Sequence, residues 1–293
     1  MDRIELIYSK RFRIEQMIHK NEAAGTEVVI AIDDVLKRRV VLKSLRYHNA
    51  EQKRSLLEEV SNQISLERFS DFVPKIYNCF FDDKKSKITI EMQYVEGKSL
   101  RTVIDSANKL RKDKIWYEKE YDLLMKVVKA VSYIHKFNGF VHKDLKPENI
   151  ISISGRNAIY VLDYGISGLA SADKGTGTAR YMAPEQISRA NTNFVYQATD
   201  VFALGQIALE MFGLEPVQYG VDAIPDNKSN RWADFADLSG VGGEFYPELK
   251  EILCKALSLN PKERYENASM FYEALNRGRR TVHGDKNYRG TKK

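Results

Sequence analysis

The chain has 293 residues, with 46 Lys/Arg against 40 Asp/Glu and 43% apolar residues. That balance excludes a disordered polar chain, and the length supports about two cored lobes without disulfide staples. The two cysteines, Cys79 and Cys254, form neither a metal spacing nor a disulfide framework.

The net charge of +6 sits at one end. Residues 276–293 carry seven Lys/Arg and one Asp, and the rest of the chain balances at 39 against 39. The folded body therefore gives no electrostatic argument for nucleic acid. The Gly-punctuated stretch 277–293 is expected to be a disordered basic tail that an acidic partner can contact. No run of about 18 apolar residues exists to span a membrane. The opening MDRIELIYSKRFRIEQ is charged throughout and lacks a secretory core, so the expected place is the cytoplasm.

In chain order, RRVVLKSL (38–45) and KITIEMQYV (87–95) are rich in β-branched residues and bounded by turn-forming runs, as strands are. Between them, residues 50–69 place Leu57, Val60, Ile64 and Glu67 at helical spacing. The character changes near EGKS (96–99). Residues 121–137 put Leu123, Val127, Val131 and Ile134 on one helical face. Residues 199–213 are apolar nearly all round, the pattern of a helix buried at the centre of a lobe. Two amphipathic helices follow, at 247–257 and 266–276. The fold class read from this order is α+β, with a β-rich lobe at 1–95 and a helical lobe at 96–276.

The chemistry concentrates in VHKDLKPENIISI (141–153), followed by VLDYG (161–165). Phosphoryl transfer from a nucleotide needs a carboxylate to take the proton of the attacking hydroxyl. It needs oxygen ligands for Mg²⁺ and a cation beside the moving phosphoryl group. Asp144 suits the base, Asn149 and Asp163 the metal ligands, and Lys146 the cation.

These motifs resemble those of the eukaryotic-type (Hanks-type) protein kinases, in the serine/threonine branch. HKDLKPEN (142–149) is similar to the catalytic loop, with Lys143 where the family usually has Arg. DYG (163–165) is similar to the metal-binding D-F-G, and GTARYMAPE (177–185) to the substrate-positioning loop. Through VVLK (40–43), the resemblance makes Lys43 the phosphate-gripping lysine. Glu59 becomes its ion-pair partner, with Glu58 a close rival. The hinge falls at 88–100, with Met92 as gatekeeper and the backbone of Gln93 and Val95 for adenine. Thr178 bridges Asp144 and Lys146, which favours Ser/Thr acceptors. Asp200 anchors the catalytic loop, and Arg264 pairs with Glu185. The implied fold is bilobal and kinase-like. The implied cofactors are ATP and Mg²⁺, and the implied partner is a protein with a Ser/Thr acceptor.

Two features depart from the family pattern. The segment 18–31, where a glycine-rich phosphate loop belongs, has a single glycine, Gly25. The stretch from Asp163 to Glu185 is short, with Thr176 the best-placed regulatory hydroxyl. The poor glycine loop raises an alternative, a pseudokinase or docking module with weak nucleotide binding. Retention of Lys43, Asp144, Asn149 and Asp163 argues against it. A small-molecule kinase is disfavoured by GTARYMAPE.

Overall fold

The computed structural model describes residues 10–68, 70–110, 112–137, 139–153, 158–164, 180–187, 196–216, 241 and 245–282. The chain divides after Glu96 into two compact units, and it returns to the first unit at Leu162. A single break near residue 95 is therefore too simple: Asp163 and Tyr164 belong with the β-rich unit.

The first unit is built on an antiparallel sheet in the order β1-β2-β3-β5-β4. Its strands are β1 (Phe12–Asn21), β2 (Thr26–Asp33), β3 (Arg38–Arg46), β4 (Ile76–Asp82) and β5 (Lys87–Gln93). Helix α1 (Ala50–Glu67) connects β3 to β4 and starts where the Asn49 side chain accepts the Gln52 N–H. Strand alternation sorts the apolar residues onto two faces. Leu45, Ile88 and Ile90 pack with Leu56 and Val60 of α1. Phe12, Val29, Ala31, Val40 and Leu42 form a second cluster. The buried stripe of α1 is Leu56, Val60, Gln63 and Leu66. Leu57, taken from the sequence as inward, is 36% exposed. Two consecutive leucines fit either phase of the helix, and the buried Gln63, whose amide donates to Pro74 O, fixes the phase.

The second unit opens on a small sheet of β6 (Lys98–Ser99), β7 (Ile150–Ile153) and β8 (Ala158–Val161). Its helices are α2 (Leu100–Ala107), α3 (Lys114–His135), α4 (Pro184–Ile187), α5 (Gln197–Met211), α6 (Leu249–Ala256) and α7 (Ala268–Val282). Helix α3 begins seven residues before the apolar run read from the sequence, because Asp113 caps it through the Trp116 N–H. Leu124, not Leu123, carries the fully buried position on it. Every residue of α5 from Ala198 to Met211 is buried, as its all-round apolarity predicts. Gly205 lets α5 approach Leu257, where a Cβ would come within 2.8 Å of the leucine side chain.

Helix α7 corrects the expected start of the tail. It runs to Val282, six residues beyond 276, because Gly278 packs against Ile252 and Arg279 pairs with Asp122 at 2.5 Å. The rest of the expected tail lies outside the described residues. Among the described residues no helix is long and apolar enough to cross a membrane.

Candidate functional site

The first unit holds Lys43, Glu59, Gln93, Val95, Gly25 and Asp163. Alternation along β3 places Lys43 on the face of Leu45, beneath α1. Its side chain is 3% exposed, and a buried ammonium needs a carboxylate partner. Asp163 supplies one, through an Oδ1–Nζ ion pair. Asp163 is itself in the left-handed region, at φ 59°, an unfavourable conformation for a side-chain-bearing residue. Tyr164 beside it is buried, and its hydroxyl lies 3.5 Å from Phe72 O. Of the two candidate glutamates on α1, Glu58 is exposed, whereas Glu59 turns inward and has an oxygen shut off from solvent. The Gln93 N–H is donated to Lys75 O at 2.8 Å, which leaves its carbonyl as the main-chain group to offer a ligand. Val95 follows the end of β5 and is half-buried.

Gly25 closes the β1–β2 hairpin. It has φ 64°, and a Cβ there would meet Arg46 Cβ at 2.7 Å. Arg46 N–H donates to Gly25 O at 3.1 Å. The turn alone therefore accounts for this glycine.

The second unit holds Asp144, Lys146 and Asn149. Lys146 Nζ lies 3.0 Å from Asp144 Oδ2, and Asn149 Nδ2 donates to the same oxygen at 3.1 Å and to Asp144 O at 2.9 Å. Both side-chain contacts fall on Oδ2, so among the described residues Oδ1 is left for an acceptor hydroxyl. With its NH₂ committed to Asp144, Asn149 offers its Oδ1, the hard donor a divalent cation takes. Asp163, with a carboxylate 44% exposed, is the second such donor by chemistry. By donor type, each of these two residues, in its own unit, fits Mg²⁺.

Asp200 at the start of α5 holds the loop in place. Its oxygens accept the His142 N–H at 2.6 Å and the Lys143 N–H at 2.9 Å. That grip keeps Lys143 at φ 70°, also left-handed. His135 Nε2 lies 2.9 Å from Asp200 Oδ2, and its Nδ1 accepts the Ala268 N–H at 3.1 Å. The proton therefore sits on Nε2 and is donated to Asp200. Burial pushes the Asp200 carboxyl up, but the His135 hydrogen bond, the neighbouring histidines and the His142 N–H outweigh it and hold the carboxyl below its ordinary range. No local pattern marks a partner for His135, because Asp200 and Ala268 are far along the chain. Gln186 Nε2 adds a bond to Lys143 O at 2.8 Å.

Arg264 and Glu185 meet as expected, in a bidentate pair at 2.7 and 2.8 Å. Arg264 is fully buried and also donates to Ser258 O, Leu259 O and Ala198 O. Thr199 Oγ1 donates to Glu185 Oε1 at 2.8 Å. Thr178, Thr176 and Gly165 lie outside the described residues.

Comparison with known proteins gives a consistent answer. The family model described as a protein kinase domain matches residues 23–275. A probable serine/threonine-protein kinase of Clostridium acetobutylicum is 27% identical over 93% of this chain and 40% of its own length. The serine/threonine-protein kinase PknB of Mycobacterium tuberculosis is 30% identical over 61% of this chain and 28% of its own. The chain thus spans less than half the length of these relatives. A crystal structure of the Mycobacterium tuberculosis PknI kinase domain covers 92% of this chain and 95% of its own, with TM-score 0.64 and 20% identity, a likeness of fold.

Proposed function

Because the chain belongs to the protein kinase domain family, we propose that it transfers the γ-phosphate of ATP to Ser or Thr hydroxyls of a protein. The observation that carries this reading is the geometry at Asp144. One carboxylate oxygen is engaged by Lys146 and Asn149, and the other, among the described residues, is left to orient an acceptor hydroxyl and take its proton. The Lys146 ammonium beside it offsets negative charge developing on the transferred group. Lys43 is the cation for the nucleotide phosphates, and Glu59 is its second carboxylate partner on α1. The Gln93 carbonyl and Val95 N–H are the groups offered to the base, and Gly25 shapes the hairpin over the phosphates. Asn149 and Asp163 would hold Mg²⁺, which when bound neutralises phosphate charge. Thr178 is assigned the bridge between Asp144 and Lys146 by the resemblance alone.

The protein substrate, a cytoplasmic place and contact of the basic C-terminal residues with an acidic partner complete the proposal. The catalytic residues all carry functional side chains, which favours an enzyme over a docking module. The test is transfer from labelled ATP, with magnesium, to dephosphorylated casein and to the chain itself. Asp144→Asn should lower transfer by roughly 10²–10⁴-fold while ADP affinity stays within a factor of two or so. Phosphoserine and phosphothreonine should dominate the product. Wild-type transfer to neither acceptor, or transfer by the variant at wild-type rate, would overturn the reading.

A further inference from the structure

A second cluster of charge in the helical unit stands apart from the groups just described. It centres on Glu210, in the last turn of α5 and 5% exposed. Its Oε2 accepts from Arg101 Nη2 at 2.6 Å and from the Tyr181 hydroxyl at 2.8 Å, and its Oε1 accepts from Arg180 Nη1 at 3.2 Å. Arg101, on α2, reaches three further groups. Its Nη2 also donates to the Tyr181 hydroxyl, its Nε donates to Glu148 Oε1 at 3.0 Å, and its Nη1 lies 3.5 Å from Asp105 Oδ1.

Proton accounting makes the arrangement unique. A phenol has one hydrogen, and Tyr181 gives it to Glu210, so the lone pair of the same oxygen receives Arg101. Burial first, and then Glu210, push the Tyr181 hydroxyl far above its ordinary value, so it keeps that hydrogen. A guanidinium suits the position of Arg101 because its planar fork serves several acceptors at fixed angles. The partners belong to three places: Glu148 in the turn that carries Asn149, Glu210 at the end of α5, and Arg180–Tyr181 at the head of the segment that runs into Glu185.

We propose that Arg101 is a positioning residue for the protein acceptor. It locks Tyr181, and with it the segment 180–185, to the turn that carries Asn149. This rests on the reading of the chain as a protein kinase. It concerns the acceptor side, since the partners of Arg101 among the described residues are Asp105, Glu148, Tyr181 and Glu210. Removing the guanidinium leaves buried Glu210 with less compensation and Tyr181 without its donor, so the segment loosens while nucleotide binding is untouched.

The experiment uses the full chain with Arg101→Met, which keeps the stem, and Arg101→Lys, which keeps the charge without the fork. Tyr181→Phe is the milder companion should either fail to fold. Amide hydrogen exchange of residues 180–187 is compared with that of 38–46, and KM is measured for casein and for ATP. One lost charge-assisted hydrogen bond corresponds to roughly tenfold. The expected result for Arg101→Met is about tenfold faster exchange at 180–187 with no change at 38–46, and a KM for casein raised about tenfold at constant KM for ATP. Lysine should restore less than half of either effect. Unchanged exchange at 180–187 overturns the inference, as does a parallel rise of both KM values. A wild type that phosphorylates nothing sinks the kinase reading instead, and the exchange result still decides whether Arg101 holds the segment.

Discussion

Asp163 has to satisfy two demands with one carboxylate. It neutralises a buried lysine and, with a carboxylate 44% exposed, is the proposed ligand for a cation. Asp163→Ala should therefore abolish the gain in ADP affinity that magnesium brings, measured by calorimetry with and without the metal. A gain that survives the substitution would remove Asp163 as the principal ligand. Gly25 sits at the opposite extreme, since its backbone explains it. Gly25→Ala forces a Cβ into φ 64° and onto Arg46. It should cost about 1–2 kcal/mol in urea unfolding, and ADP affinity in the folded variant should barely change. At this scale the sequence was legible where residues act close together, as in 142–149. It was silent where the partner is remote: Arg101 and Glu210 are 109 positions apart, and no local pattern marks them as a pair.

Among the elements, α4 is joined to the turn between α6 and α7 by the buried Glu185–Arg264 pair. Breaking such a pair leaves a buried charge without compensation. Arg264→Leu should lower stability by roughly 3–5 kcal/mol. The double variant Glu185→Leu/Arg264→Leu should recover a good part of that loss, because two matched apolar groups bury no charge. Equal losses in the single and double variants would show that the pair is not what holds these elements. Helix positions were legible from periodicity, since amphipathic and all-round apolar patterns differ plainly. Phase and ends were less so. The inward row of α1 depends on a glutamine that finds a main-chain acceptor, and the length of α7 on a glycine that admits Ile252. Both are facts about the neighbour rather than the helix.

For the molecule as a whole, the buried acid Glu120 on α3 leaves a signature in the pH dependence of stability. It is 5% exposed, its Oε2 has no hydrogen-bond partner among the described residues, and burial pushes its carboxyl from 4.5 up to about 7. Between those values the folded chain keeps a proton that the unfolded chain releases. Stability from this group is thus present below about pH 4.5 and falls as pH rises toward 7, by on the order of 3 kcal/mol in full. Glu120→Gln should flatten that slope and raise the urea midpoint at pH 8, while changing little at pH 4.5. A wild-type slope that persists in the variant would place its origin elsewhere. The two-part division after Glu96 was visible as a change from strand to helix patterns, but the return at Leu162 was not, because a short segment crossing back carries no compositional mark.

The bond from Ala268 to His135 spans 133 positions of chain, and through His135 it reaches the carboxylate that holds the His142 and Lys143 amides. During synthesis, Asp144 and Asn149 emerge long before residue 268 does. The loop amides have Asp200 to bind from the moment α5 forms, but the imidazole that orients Asp200 gains its Ala268 donor only with α7. Contacts of such separation form late, since the intervening chain must first be closed into a loop. A nascent chain still lacking α7 thus carries Asp144 and Asn149 on an unfinished support.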